Sequence, residues 1–331
     1  MTKKLIKNKK TVYIFAPANT MRDIPELAIE IGIKNLDSLG FRVQFGKNVY
    51  HQHLYTSGTI KERLEDIYLG LNDNSVSIMM AAYGGYNTNQ LIGNIDYEQI
   101  KKSKKIFSGY SDLTILLNAI LTKSSLKSIH GPSFASFCDP NLNDEVSQSF
   151  VDLINGKKNI EYITPKFAAC DFWYLKKELG PRETYPHPSW HPIVQGSTEG
   201  VLIGGNLDSL VSLIGTSYLP SLNNRILLIE TSIGEHPGKF DRQMMHLRHA
   251  GIFEKITGLI IGQFPQTSML SQLHIIKEII DQSVKPYQFP IMINGSFSHV
   301  DPLFSLPIGG MIKLDADTTQ CKITIMDSLY E

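Results

Sequence analysis

The chain has 331 residues, of which 42% are hydrophobic and 19% charged, so it can bury a large core and more than one domain is expected. Lysine plus arginine and aspartate plus glutamate each number 32, which gives a formal net charge of zero. That balance argues against a nucleic-acid polymer or an anionic membrane as partner and favours a small or neutral substrate.

The cysteines and the N-terminal residues indicate the compartment. Cys138, Cys170 and Cys321 are far apart and odd in number, which indicates a reducing environment and predicts no structural zinc. The basic first ten residues precede an apolar run that ends at Pro17, too short for a signal peptide and better suited to a first strand. No run approaches the roughly 20 apolar residues that span a bilayer, so we expect a cytoplasmic protein with no membrane partner.

Strand-like and helix-like segments alternate in the first half of the chain. The predicted strands are short apolar runs, and the predicted helices have apolar residues three and four positions apart. Alternation of this kind predicts an α/β fold with a parallel, doubly wound sheet, whose reactive groups collect at the carboxyl ends of the strands. In chain order we predict strand 12–16, helix 24–39, strand 42–45, helix 59–71, strand 76–82, strand 105–108 and helix 113–121.

A change in amino-acid composition separates the two halves of the chain. Residues 167–196 contain both tryptophans and four prolines, and predict a long irregular connection that is either functional or a plain linker. We therefore expect an N-terminal domain over 1–165, an inter-domain loop over 166–196 and a C-terminal domain over 197–331. Beyond the loop we predict a short helix to residue 214, strand 226–230, helix 242–250, strand 256–262, helix 270–283, strand 290–294 and a hairpin of 311–314 with 322–326.

Ser111 lies in Gly109-Tyr110-Ser111-Asp112, where a predicted strand turns into a predicted helix. A serine at such a corner is exposed, and the amides of the first helical turn point towards charge that develops on its oxygen. This is the geometry of a nucleophile elbow, although the pattern is not G-x-S-x-G. The alternative is that the serine only caps the helix, which these residues alone favour.

Ser111, Glu230 and His299 can together supply the nucleophile, the orienting acid and the base of a serine hydrolase mechanism. His299 lies in a turn just beyond a predicted strand and is the candidate base, while Glu230 ends an apolar strand and is the candidate orienting acid. The three residues come in the order Ser111, Glu230, His299 along the chain, and each lies at a predicted strand end. The backbone N–H groups of Asp112 and Gly85 are the candidate oxyanion hole.

Each of these assignments has an alternative. The histidine and the glutamate can be ordinary loop and strand-end residues, and the two glycines at 84–85 an ordinary tight turn. The cleft can belong to a binding protein without activity. A glutamine-amidotransferase-like enzyme ranks last, because it needs a cysteine at the elbow and none of the three cysteines lies there.

Five motifs in order along the chain resemble the LD-carboxypeptidase family of serine peptidases (S66). The resemblance runs from about residue 10 to residue 325, and five spaced motifs are more specific than any one of them. They are Gly-Gly-Tyr-Asn-x-Asn-Gln-Leu (84–91), Gly-Tyr-Ser-Asp-Leu-Thr (109–114), Gly-Gly-Asn-Leu (204–207), Leu-Ile-Glu-Thr-Ser (228–232) and His-x-Asp-Pro…Leu-Pro-x-Gly (299–309).

The resemblance is greatest to the microcin C immunity (MccF-like) branch of the family. Asn87-x-Asn89, Glu230-Thr231-Ser232 and His299-x-Asp301-Pro302 are similar to that branch. The murein-recycling branch more usually has arginine before Gly-Gly and Glu-Asp after the strand, where this chain has Tyr83 and Thr231.

The resemblance implies the fold and the site. It implies a Rossmann-like N-terminal domain, a smaller β-rich C-terminal domain, an active site in the cleft between them and a homodimer. It assigns the triad to Ser111, Glu230 and His299, with no metal or cofactor. It further implies that an aromatic residue of the inter-domain loop stacks on a nucleotide base. The candidate substrate-binding residues are Tyr86, Asn87, Trp173 and Trp190.

The expected reaction is transfer of an acyl group to water through an acyl-enzyme. The expected substrate is a small peptide or peptidyl-nucleotide, cleaved at an amide near a free carboxyl end, as in the hydrolysis of peptidyl- or aminoacyl-nucleotide antibiotics. The alternative substrate is a murein tetrapeptide, from which the enzyme would release D-Ala.

Overall fold

The computed structural model describes residues 5–6, 9–171, 173, 179–285 and 287–331. Its strands are β1 (Lys10–Phe15), β2 (Phe41–Phe45), β3 (Val76–Ala81), β4 (Ile106–Gly109), β5 (Ser128–His130), β6 (Ile160–Ile163), β7 (Phe167–Ala169), β8 (Thr184–Pro186), β9 (His191–Val194), β10 (Gly196–Asn206), β11 (Arg225–Glu230), β12 (Gly258–Gly262), β13 (Ile291–Gly295), β14 (Leu306–Ile308), β15 (Met311–Ala316) and β16 (Lys322–Ile325).

The helices lie between these strands. They are α1 (Glu26–Ser38), α2 (Ile60–Asn72), α3 (Asn89–Ile92), α4 (Tyr97–Ser103), α5 (Thr114–Ser124), α6 (Phe134–Phe137), α7 (Asp144–Ile154), α8 (Leu207–Val211), α9 (Pro237–His249) and α10 (Leu273–Val284).

Local sequence explains where several helices begin. Thr59 caps α2, accepting a hydrogen bond from the Glu62 N–H, and the Glu62 side chain returns the contact to the Thr59 N–H. In α9, His236 is the cap and Pro237 the first helical residue, where a missing N–H costs nothing. In the part of the chain that the structure describes, no helix is both long and apolar enough to cross a membrane.

Two sheets form the body of the molecule. The first has the order β14-β5-β4-β3-β1-β2, with every pairing parallel except that of β14 with β5. The second has the order β6-β16-β15-β10-β11-β12-β13-β9, and its central strands β10 to β13 are parallel. This α/β architecture, with its parallel sheet and two-domain arrangement, confirms the predicted fold class.

Two strands lie in the sheet of the opposite half of the chain. β14 comes late in sequence yet completes the edge of the first sheet beside β5. β6 precedes the C-terminal half yet pairs with β16 at the edge of the second sheet. The polypeptide therefore crosses between the halves more than once.

The central strands β11 and β12 of the second sheet are buried on both faces. In β11, Ile226 and Leu228 join a core shared with the first sheet, whereas Leu227 and Ile229 join a second core under α8, α9 and α10. Successive residues of a strand point to opposite faces, so a continuous apolar run is what such a strand requires.

The connection over 166–196 is more regular than expected. β7 pairs with β8 as a two-stranded sheet, and β9 pairs antiparallel with β13 at the edge of the second sheet. The prediction of an irregular connection was therefore wrong for these strands, because β7 and β8 are separated by residues 170–183 and the partner of β9 lies far away in sequence. We call residues 166–196 the connecting segment.

Candidate active site

Ser111 sits at a strained corner between β4 and α5. Its φ of 58° is in the left-handed region, which a serine adopts only where the surroundings impose it. A short 3-10 turn, Ser111–Leu113, leads directly into α5. Neither the cap of this turn, Tyr110, nor the cap of α5, Leu113, makes a side-chain capping bond. No hydrogen bond of the Ser111 hydroxyl is found among the described residues, so the helix-cap alternative does not account for it.

The loop after β3 packs closely against this corner. A methyl group added at Gly84 would lie 2.8 Å from Ser111 Oγ and 3.9 Å from the Asp112 backbone nitrogen. The buried Asp112 carboxylate accepts a hydrogen bond of 2.8 Å from the Thr88 N–H. Gly85, with a φ of 152°, holds a backbone conformation that favours glycine. The structure thus brings Ser111 together with both segments that were predicted to form an oxyanion hole.

Glu230 and His299 meet at the carboxyl edge of the second sheet. His299 Nδ1 lies 2.7 Å from Glu230 Oε2, and the carboxylate is fully buried while 17% of the histidine side chain is exposed. Glu230 is the last residue of β11 and His299 follows β13, with β12 between these two strands. A methyl group added at Gly262, the last residue of β12, would lie 2.8 Å from Glu230 Cβ, so only glycine leaves room there.

The two groups shift each other's pKa in opposite directions. Burial by itself raises the pKa of Glu230, but the charge and the hydrogen bond of His299 bring that pKa below its ordinary value. Burial by itself lowers the pKa of His299, but Glu230 raises it above the ordinary value of 6.5. The pair therefore favours a carboxylate that orients the imidazole and stabilises its protonated form.

The ring of Tyr110 connects the two sides of the site. Its centroid lies 4.9 Å from that of His299, so the residue before the serine packs against the candidate base. No hydrogen bond joins Ser111 Oγ to His299 among the described residues. Catalytic hydrogen bonds are often long before substrate binds, so this geometry is compatible with a triad.

A cavity of about 110 Å³ opens beside His299. Trp173 lines it, together with Tyr110, Asp139, Arg182 and Asp301 among others. The described residues include no cluster of three or more histidine, cysteine or acidic side chains arranged to hold a metal ion.

The predicted substrate-binding residues lie in different places. Tyr86 lies in the loop after β3 and is 84% exposed. The Asn87 carbonyl accepts a hydrogen bond of 3.2 Å from Arg63, which fixes that loop from behind. Trp190 is only 4% exposed, packs on Phe297 and donates to Ser296 Oγ at 3.1 Å. Trp190 is a core residue, which argues against its prediction as a stacking residue.

His130 is a site residue that the sequence did not reveal. It ends the three-residue strand β5, is fully buried, and its Nε2 donates to the Phe297 carbonyl at 2.9 Å. Burial lowers the pKa of His130, so the ring stays neutral and supports the segment before His299. The only sequence signal was a histidine after Ser128-Ile129, which is too short a run to indicate a strand end.

Comparison with known families identifies the class. Family models of the LD-carboxypeptidase N-terminal domain and C-terminal domain match residues 12–131 and 199–314. The chain therefore belongs to the LD-carboxypeptidase (S66) family, and it is a serine-type carboxypeptidase. This confirms the family predicted from the motifs.

Curated relatives cover nearly the whole chain. The putative carboxypeptidase YocD of Bacillus subtilis is 32% identical over 97% of this chain and 98% of its own. The microcin C7 self-immunity protein MccF of Escherichia coli is 30% identical over 88% of this chain and 87% of its own. A probable murein peptide carboxypeptidase of Bacillus subtilis is 28% identical over 92% and 89%.

Solved structures place the chain within the family. An MccF-like protein from Bacillus anthracis has a TM-score of 0.92 at 29% identity, covering 99% of both chains. MccF in complex with glutamyl sulfamoyl guanosine has a TM-score of 0.90 at 27% identity, covering 98% of both chains. Within the S66 family, the chain belongs to the MccF-like branch.

Proposed function

We propose that Ser111, His299 and Glu230 form the catalytic triad of this carboxypeptidase. His299 takes the Ser111 proton as Ser111 Oγ bonds to the carbonyl carbon of the substrate amide. The same proton then passes to the leaving nitrogen as the amide bond breaks. Water, deprotonated by His299, hydrolyses the resulting ester and regenerates the serine. The observation that carries this proposal is the 2.7 Å contact of His299 with Glu230 beside the strained serine.

The N–H groups of Gly85 and Asp112 are the proposed oxyanion hole. Charge develops on the carbonyl oxygen as the serine attacks, and two fixed backbone donors stabilise it more than mobile water does. The close approach of the Gly84 backbone to Ser111 Oγ and to the Asp112 nitrogen supports this assignment.

The proposed substrate is an aminoacyl- or peptidyl-nucleotide, cleaved at the amide that joins its acyl carbonyl to the nucleotide portion. The MccF structure with a glutamyl sulfamoyl nucleoside supports it, as does Trp173 at the cavity, which we propose stacks on the base. Murein tetrapeptide is the second candidate, supported by the murein peptide carboxypeptidase among the relatives. The homodimer and the cytoplasmic location are likewise proposals, which light scattering and cell fractionation test.

Substitution of Ser111 tests the mechanism. The Ser111→Ala and His299→Ala proteins should lose at least about 10³-fold in kcat on both substrates, since the triad acts as a unit. Ser108→Ala is the matched control, because Ser108 is buried in β4 and donates to the Pro132 carbonyl instead of facing the site. Full turnover by the Ser111→Ala protein would sink the mechanism.

Competing substrates test the specificity. The protein is incubated with glutamyl sulfamoyl guanosine and with a murein tetrapeptide, and the products are identified by mass spectrometry. We expect the nucleoside to be cleaved with the higher kcat/KM. In Trp173→Ala, the KM for the nucleoside should rise while the KM for the murein tetrapeptide stays unchanged. Release of D-Ala as the faster reaction would instead establish the murein peptide as substrate.

A further inference from the structure

Arg182 joins three aspartates from separate parts of the chain. Its Nε lies 2.6 Å from Asp171 Oδ1, and its Nη1 lies 2.6 Å from Asp139 Oδ2 and 2.9 Å from Asp301 Oδ2. The side chains of Arg182, Asp139 and Asp171 are 9% exposed or less, so their ion pairs are largely desolvated, whereas the Asp301 side chain is 36% exposed. Such pairs fix geometry, and removal of one partner leaves uncompensated charge in a poorly solvated place.

One of the three aspartates belongs to the turn that carries the candidate base. Asp301 follows His299 by two positions, and we call residues 296–301 the His299 turn. Asp301 also exchanges backbone hydrogen bonds with Ala169, of 2.8 and 3.0 Å. The connecting segment thus holds this turn through a backbone pair and through the guanidinium of Arg182.

The same segment holds the other end of the turn. Ser296 Oγ accepts from the Trp190 indole and lies 3.1 Å from His187 Nε2. The His299 side chain itself is held at Nδ1 by Glu230, and its ring packs on Tyr110. The backbone of the turn therefore decides where the other face of the imidazole lies relative to Ser111.

We propose that Arg182 is a positioning residue, which acts through Asp301 to hold the His299 turn in the place where the imidazole reaches Ser111. The proposal rests on the assignment of His299 as the base. Arg182 does not touch the reacting atoms in this role. Its contribution is geometric, and a displacement of about 1 Å at a reacting group is enough to cost about 100-fold in rate.

The charge balance explains why Asp301 depends on this arginine. Burial raises the pKa of Asp301, and Arg182 is the main group that opposes this shift. Without the guanidinium, three acidic groups remain close together, and their mutual repulsion or protonation loosens the contact with the turn. A lysine keeps one charge but lacks the planar fork that binds several carboxylates at once.

A double-mutant cycle tests the proposal. Arg182→Ala and Asp301→Asn should each lower kcat by about 10- to 100-fold with little change in KM, on whichever of glutamyl sulfamoyl guanosine or murein tetrapeptide is cleaved. If Arg182 acts through Asp301, adding Arg182→Ala to Asp301→Asn should lower kcat by much less than it does alone. Arg182→Lys should recover only part of the loss. Each kcat is expressed per folded protein, measured by thermal unfolding.

Three results would overturn the proposal. The first is a loss of kcat in the double variant equal to the product of the two single losses. The second is a raised KM at unchanged kcat in Arg182→Ala, which would make Arg182 a substrate-binding group. The third is an unchanged kcat in both single variants. Arg248→Ala is the matched control, since Arg248 binds the Gln282 carbonyl on an exposed surface. Should Arg182→Ala fail to fold, Asp301→Asn and Arg182→Lys still give the kcat comparison. Activity in Ser111→Ala would refute the triad and with it this proposal, whereas an inactive Ser111→Ala isolates the test of Arg182.

Discussion

At the scale of single residues, the protonation state of His299 controls the proposed chemistry. Only the neutral imidazole can accept the Ser111 proton, and Glu230 raises the pKa of that imidazole. We therefore expect kcat/KM to rise with pH through a pKa above 6.5, and activity to be lost as the pH falls through it.

Glu230→Gln should shift this pH profile. The substitution removes the charge that raises the pKa of His299 but leaves the burial that lowers it, so the acidic limb of kcat/KM should move to lower pH. The plateau should fall by about 10³- to 10⁴-fold, since the orienting acid is lost. Glu235→Gln is the control, because Glu235 binds Lys239 instead. An acidic limb that stays in place would contradict the assignment of Glu230.

Residues with a local signal were predictable, and those defined by distant partners were not. Ser111 follows an apolar strand and precedes an apolar helix, so its corner could be read from neighbours in sequence. Arg182 has its partners at positions 139, 171 and 301, and no local pattern links them. Trp190 was a stacking candidate because the family resemblance implies an aromatic residue of the inter-domain loop on the base, but Trp190 is only 4% exposed and packs on Phe297.

At the scale of elements, the loop after β3 must approach the elbow without side-chain bulk. Gly84→Ala would place a methyl group 2.8 Å from Ser111 Oγ, closer than non-bonded atoms allow, so the loop or the serine must move. We expect kcat to fall by about 100-fold while the protein stays folded, because the displaced loop carries a proposed oxyanion donor. Steady-state kinetics and circular dichroism measure both effects.

A second glycine serves as the comparison for this prediction. Gly234→Ala is the matched control, since an added methyl group there would meet nothing within 4 Å. Wild-type kcat in the Gly84→Ala protein would show that the loop tolerates displacement and would count against an oxyanion role.

Strand length and partner distance decided which elements the sequence revealed. The buried strands β3, β11 and β12 are runs of five or six residues with continuous apolar character, and their positions were predicted closely. β5 and β14 have three residues each, too few for any periodicity to show. Their pairing depends on the fold of the whole chain, which a local pattern cannot encode.

At the scale of the whole molecule, α5 joins the two sheets. Asn118, buried on α5, donates to the Gly204 carbonyl at 2.9 Å and accepts from the Gly204 N–H at 3.0 Å. Thr114 Oγ1 accepts from the Asn206 N–H at 2.9 Å, one residue beyond the glycine pair of β10. The helix α5, which follows Ser111, is therefore hydrogen-bonded to β10, the strand that pairs with the Glu230 strand β11.

Asn118→Ala should destabilise this junction. The Gly204 N–H and carbonyl would both remain buried without the partner they now have, at a cost of about 1 to 3 kcal/mol each. We expect a free energy of unfolding lower by about 2 to 5 kcal/mol in urea denaturation. Asn74→Ala, at an exposed position, is the control and should change stability little. Equal stabilities of the two variants would show that the junction contributes nothing.

The pairing of β14, a strand late in the chain, with β5 of the first sheet has a consequence for biosynthesis. The ribosome releases the elbow strand β4 and its neighbour β5 long before residues 306–308, which complete that sheet, have been translated. Until then, the edge of β5 has no β14 to pair with, and the nascent N-terminal half is a candidate client for a chaperone. Ser111 and His299 can therefore meet only near the close of translation, because the His299 turn lies just before β14 in the chain.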